Sequence, residues 1–233
     1  MIDKSMRHAK AICFDLDDTL WPVAPVIAGA EQALADWLAE HCPRVTLEHD
    51  VVSMRAHRAS LAEQYPDRCH DLAFLRRESL RRLLTAAGYQ ASLAEEGFAV
   101  FQAARNRVEL FADVLPALQR LGGRYRLLAL SNGNACLGTI GLSQHFEHAL
   151  AAAEAGCAKP DQGIYRQLLR RASLDACEVI HVGDDPHADV EGARAVGMHA
   201  VWIDRFERPW PDPLPAPAFR VGCLNELCEI LSA

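Results

Sequence analysis

The chain has 233 residues, half of them hydrophobic, with a formal net charge of −7 and acidic and basic residues interspersed. This composition supports a buried core and excludes a disordered chain, and it offers no broad positive surface for nucleic acid or an anionic membrane. Recognition of a phosphate would therefore have to come from local donors and a metal.

The eight cysteines lie at positions 13, 42, 69, 136, 157, 177, 223 and 228, without a CxxC pair or histidines at zinc spacing. That scatter speaks against a structural zinc site and for reduced cysteines acting as small hydrophobes, so a cytoplasmic protein is expected. The opening MIDKSMRHAK lacks an apolar run of signal-peptide length, and no later run approaches the roughly 20 apolar residues of a membrane span.

In chain order, AKAICFDL (9–16) predicts a buried strand that stops at an acidic, threonine-containing cluster. From Gly29 to Arg107 the pattern changes. Apolar residues recur at spacings of three and four in EQALADWLAEH, VVSMRAHRASLAEQ, DLAFLRRESLRRLLTAAG and LAEEGFAVFQAARNRV, which predicts a four-helix insert. DVLPALQRLGG then reads as a helix stopped by two glycines, and YRLLALSNGN as a strand running into a turn. HFEHALAAAEAG fits either a helix or a short strand. DQGIYRQLLRRAS predicts a helix, EVIHVGDD a strand, HADVEGARAVG a helix and MHAVWID a strand. RPWPDPLPAPA is a proline-rich surface connector, and LNELCEILS a last helix. Strand, helix, strand units with short joints imply an α/β fold: a doubly wound parallel sheet built from residues 1–20 and 108–233, interrupted by a helical cap over 21–107.

In such sheets ligands collect beyond the carboxyl ends of the strands, and four polar clusters follow strand-like runs. In Asp15-Leu16-Asp17-Asp18-Thr19, alternation lets Asp15 and Asp17 face one side, one carboxylate to attack and the other to move a proton; the alternative is an acidic turn capping a helix. Ser131-Asn132-Gly133-Asn134 can cradle a phosphate with hydroxyl, amide and backbone N–H donors, although Asn-Gly is also a common turn signal. Lys159, before Pro160 and Asp161, can clamp charge or be a solvated loop lysine. Asp184, after EVIHVG, supplies the hard oxygen that magnesium prefers. Asp185 and Asp189 fit equally as outer groups of a metal site or as helix caps, and His181 and His187 receive no role.

The series DLDDT, SN, KP and GDxxxxD resembles the haloacid dehalogenase superfamily over nearly the whole chain, with a helical cap inserted after the first motif. The resemblance implies a Rossmann-like core and a Mg2+-dependent phosphomonoesterase. Asp15 would form an aspartyl-phosphate, and Asp17 would protonate the leaving oxygen, then activate water, and lend its backbone carbonyl to the metal. Asp15 and Asp184 would ligate the metal through carboxylates, with Ser131, Asn132 and Lys159 holding the phosphoryl group. Dehalogenases of the superfamily lack the second aspartate, so Asp17 favours phosphate esters.

FDLDDTLW, LSNGNA, AKP and EVIHVGDDPHADVEGARAVGMHAVWI further resemble bacterial phosphatases acting on flavin mononucleotide and on the phosphorylated pyrimidine intermediate of riboflavin synthesis. The expected partner is thus a small-molecule phosphate ester, with no nucleic acid and no membrane; the sequence leaves the oligomeric state open. Two rivals remain at this point, a sugar phosphomutase of the same superfamily and a non-catalytic binding or regulatory module. Arg76, Arg77, Arg81 and Arg82 read as a solvated helical face rather than site residues.

Overall fold

A computed structural model describes residue 6 and residues 8–232. In chain order, strand β1 (Ala11–Phe14) precedes helices α1 (Val23–His41), α2 (Pro43–Glu48), α3 (Val51–Gln64), α4 (Leu72–Ala86) and α5 (Leu93–Arg105). There follow α6 (Val114–Gly122), β2 (Arg126–Ser131), α7 (Leu137–Ile140), β3 (His148–Ala151), α8 (Ala152–Ala155) and α9 (Gln162–Ala172). The chain closes with β4 (Val179–Gly183), α10 (Gly192–Ala195), β5 (His199–Ile203), β6 (Arg220–Val221) and α11 (Leu224–Ser232). The fold divides into two compact units. One holds the chain up to Pro22 with Glu109–Gly133 and Gly141 onward; the other holds Val23–Val108 and Asn134–Ile140.

The first unit is a six-stranded sheet in the order β3-β2-β1-β4-β5-β6, and every neighbouring pair is parallel. β1 is central, with Phe14 opposite Ala129 of β2 on one side and Val182 of β4 on the other. All four of its residues are buried, as expected of a parallel strand covered on both faces. Helix α9 lays Ile164, Tyr165, Leu168 and Leu169 onto a cluster that includes Leu128, Leu130, Val179 and Trp202. Each such aliphatic side chain contributes roughly 1.5–3 kcal/mol by leaving water. The ambiguous segment HFEHALAAAEAG resolves into both elements, strand β3 followed by the one-turn helix α8. The two-residue strand β6 was not foreseen; its FRVG run is too short for periodicity to register.

The second unit carries four long helices, α1, α3, α4 and α5, and the short α2 and α7. Asp50 and Asp71 cap α3 and α4 by accepting the N–H of Ser53 and of Phe74, each at 2.8 Å. Ala30, Leu34, Leu38, Leu80, Leu84, Phe98 and Phe101 form its core. Residues 134–140 belong here rather than to the sheet, because Gln102 donates to the Asn134 carbonyl at 2.7 Å and Asn106 accepts the Cys136 N–H at 2.8 Å. The arginines of α4 are only in part the solvated face that the sequence suggested. Arg76 is buried, its guanidinium lying 3.5 Å from the centre of the Phe101 ring and 3.7 Å from Glu31. Arg77 pairs with Glu95, and Arg81 and Arg82 pair with Glu78.

Candidate active site

The loops after β1, β2 and β4 leave the same edge of the sheet because these strands are parallel, and the strand order reverses between β1 and β4, where a crevice opens. Asp15 directly follows β1 and extends its ladder, its N–H donating to the Val182 carbonyl at 2.8 Å. The chain then turns tightly, with Leu20 N–H on the Leu16 carbonyl at 2.8 Å and Asp18 in the left-handed region at φ 56°. Aspartate tolerates that conformation better than most side chains. The turn folds Trp21 back so that its indole N–H donates to Asp17 Oδ1 at 2.8 Å.

Ser131 ends β2, and its hydroxyl oxygen accepts the Gly133 N–H at 2.9 Å. Asn132 grips the Lys159 backbone at both polar ends, donating to the Lys159 carbonyl at 2.9 Å and accepting the Lys159 N–H at 2.7 Å. This bracket delivers Lys159 Nζ to Asp15 Oδ1 and to Asp189 Oδ1, both at 2.6 Å, and to the Leu130 carbonyl at 2.9 Å. Asp184 follows β4, and its carboxylate Oδ2 accepts from Arg208 at 2.8 Å. Asp15, Asp17, Ser131, Asn132, Lys159 and Asp184 thus line one cleft of about 170 Å³, together with Asp18, Gly133, Asp185, Ala188 and Asp189.

Asp185 and Asp189, left open by the sequence, separate. Asp185 is a cap, accepting the N–H groups of His187 and Ala188 at 2.8 and 2.7 Å. Asp189 is almost fully buried and saturated: Oδ1 receives Lys159 and, at 2.9 Å, His181 Nε2, while Oδ2 receives the Asp185 N–H at 2.9 Å. Its partner across the turn must be glycine, because a Cβ on Gly183 would lie 2.2 Å from Asp189 Cγ. His181 went unassigned because a histidine inside a strand signals only that some buried partner exists. The proton on His181 Nε2 is assigned from its carboxylate acceptor, and Nδ1 has no partner among the described residues. Nothing near Arg208 in the sequence marks it as a neighbour of Asp184.

The electrostatics follow from crowding. Burial pushes Asp15 well above the ordinary carboxylate range; Lys159 opposes this, while the Asp189 and Asp184 charges add to it. Burial likewise lifts Asp184 to about 6, against the pull of Arg208. Burial also works against the Asp189 charge, yet Lys159 and His181 outweigh it and hold that carboxyl well below normal. Lys159 stays charged because Asp15 and Asp189 outweigh its own burial. Burial lowers His181 and so disfavours its charged form, against the pull of Asp189.

Carboxylate oxygens of Asp15, Asp184 and Asp189 lie within 4.8 Å of one another, a set able to hold a cation. Since both oxygens of Asp189 are already engaged, Asp15 and Asp184 are the better ligands. Hard oxygen donors suit magnesium, and a divalent charge offsets the crowding that raises both groups, so the residues fit such an ion. No helix among the described residues is long and apolar enough to cross a membrane.

Comparison with known proteins fits this arrangement. The profile of the haloacid dehalogenase-like hydrolases matches residues 9–197. The 5-amino-6-(5-phospho-D-ribitylamino)uracil phosphatase YigB of Escherichia coli (strain K12) is 32% identical over 204 residues, covering 86% of this chain and 85% of that protein. The phosphoserine phosphatase of Thermus thermophilus is 36% identical over 158 residues, 65% of this chain and 63% of its own. Among solved structures, a 2-haloacid dehalogenase from Pseudomonas syringae pv. Tomato DC3000 superposes with a TM-score of 0.89 at 39% identity, covering 96% of this chain and 98% of that one.

Proposed function

Because the chain belongs to the haloacid dehalogenase-like hydrolase family and is therefore a hydrolase, we propose that it hydrolyses small phosphate monoesters through covalent attack by Asp15. The observation that carries this reading is Lys159 Nζ, 2.6 Å from Asp15 Oδ1 at the floor of a cleft that also holds Asp17, Ser131 and Asp184. Lysine there fixes one carboxylate oxygen, so the carboxylate is oriented before substrate arrives.

An Asp15 oxygen forms a bond to phosphorus as the ester P–O bond breaks, and Asp17 gives its proton to the departing oxygen. Asp17 then takes a proton from water as that water attacks phosphorus, releasing inorganic phosphate and the Asp15 carboxylate. Lys159, the Ser131 hydroxyl and the Asn132 N–H neutralise the transferring phosphoryl oxygens; the Asn132 side chain is occupied in holding Lys159. Mg2+ held by the Asp15 and Asp184 carboxylates and the Asp17 carbonyl would supply further positive charge beside the phosphoryl group. The sheet unit would be the catalytic core, and the helical unit, which includes 134–140, a cap that selects substrate. The similarity to the 5-amino-6-(5-phospho-D-ribitylamino)uracil phosphatase YigB favours that phosphorylated pyrimidine as substrate, with flavin mononucleotide, suggested by the motifs, as the other candidate, and we place the protein in the cytoplasm.

A second reading, dehalogenation of a 2-haloacid, is favoured by the Pseudomonas syringae structure. The test is release of phosphate from a panel of phosphorylated metabolites, and of halide from 2-haloacids, with magnesium and then with excess chelator. Chelator-sensitive phosphate release is the expected result. Halide release without phosphate release would replace the phosphatase reading with the dehalogenase one.

A further inference from the structure

We propose that Arg208 is an internal stand-in for a divalent cation at Asp184, and that it lowers the affinity of this site for the metal. The proposal rests on the metal-dependent reading above. Of the three clustered carboxylates, Asp15 and Asp189 share Lys159, while Asp184 has a cation of its own. Arg208 Nη2 donates to Asp184 Oδ2 at 2.8 Å and to the Asp184 carbonyl at 3.2 Å. Its backbone is pinned nearby, the Arg208 N–H donating to Asp204 Oδ1 at 3.0 Å, so the contact is built into the loop after β5.

The two cations differ in what they can do. The Lys159 side chain is 2% exposed and has three acceptors, so it cannot leave. The Arg208 side chain is 41% exposed, and its Nε is buried without a partner among the described residues. A partly solvated guanidinium that engages Asp184 through a single terminal nitrogen can move into water at little cost, since such pairs are weak. With Arg208 in place, three carboxylates face two monovalent cations. A divalent ion arriving at Asp184 must share that carboxylate with the guanidinium, against like-charge repulsion, or displace it, at the cost of the Arg208–Asp184 contact, and either route weakens binding.

Magnesium binding by isothermal titration calorimetry tests this on the full chain, with wild type, Arg208→Gln, Arg208→Lys and Asp184→Asn compared. Arg208→Gln should bind Mg2+ about tenfold more tightly, a difference of about 1.4 kcal/mol, and its metal-free form should melt at a lower temperature. Arg208→Lys keeps the charge and the fold and should fall between the two. Unchanged or weaker binding by Arg208→Gln would overturn the proposal, and a lower melting temperature alone would reveal a merely structural contact. Binding by wild type that is lost in Asp184→Asn keeps the metal reading standing even then. Binding by neither wild type nor Arg208→Gln would defeat both.

Discussion

The two ends of the one parallel sheet make opposite use of charge. At the amino end, a wide hollow of about 670 Å³ is lined by Lys10, Arg166, Arg170, Asp175 and Glu178 with apolar neighbours. Its charges sit near water, and Lys10 pairs with Glu178 at 2.5 Å while 63% exposed. At the carboxyl end the cleft is about a quarter of that volume, yet it gathers Asp15, Asp184 and Asp189 on buried positions around a buried lysine. Size therefore does not mark the site. Charge kept away from water at the expense of stability does, because such groups persist only where the fold holds them in place.

Substitutions at the two ends sharpen that contrast. Asp189→Asn should cost the most stability, since it leaves Lys159 and His181 facing a neutral amide inside the protein. Breaking a buried pair costs about 3 kcal/mol, visible in urea unfolding, and turnover should fall roughly a hundredfold because Lys159 is no longer held between two carboxylates. Gly183→Ala should cost about 2 kcal/mol by overpacking, as its methyl group collides with Asp189 and the Asp189 backbone is helical and cannot retreat freely.

The next effect is one of pH. Asp184 titrates near 6 in the folded chain, above the ordinary carboxylate value of about 4. Burial thus opposes its ionised form, so the metal-free protein should gain stability as pH falls from 6 toward 4. Cation affinity should move the other way, dropping by up to about tenfold per pH unit below 6 as protons compete for the ligand. Melting curves and calorimetric titrations across that range read the two signs separately. Smallest of all, Lys10→Ala at the amino end should leave both stability and turnover unchanged; a large loss of turnover would break the contrast between the ends.

How legible these ends were in the sequence follows from the range of each contact. The strand AICF stopping at Asp15, the Ser131 turn and the GDD after EVIHV are local events, readable from periodicity and from what interrupts it. Placing them at one edge needed only the rule that parallel strands open their ligand crevice at their carboxyl ends. The contacts that tie the site together were not readable. Asn132 looked like a phosphate donor, and only the fold shows its side chain spent on a backbone 27 residues away. Asp189 carried the right spacing for an outer group of a metal site or for a helix cap; it is not a cap, and its burial beside Lys159 and His181 depends on how the turn packs under β4. Arg208 reaches Asp184 across 24 residues from a loop with no periodic pattern. The segment 134–140 joins the helical unit through side-chain bonds to Gln102 and Asn106, which spacing cannot reveal.

The role of Asp15 as the attacking group stands or falls with Asp15→Asn. The purified variant is checked for an unchanged circular dichroism spectrum and then assayed for phosphate release, with magnesium, on the substrate that wild type prefers. A fall of about a thousandfold or more is expected. Phosphate release at a rate near wild type, from a folded variant, would contradict it.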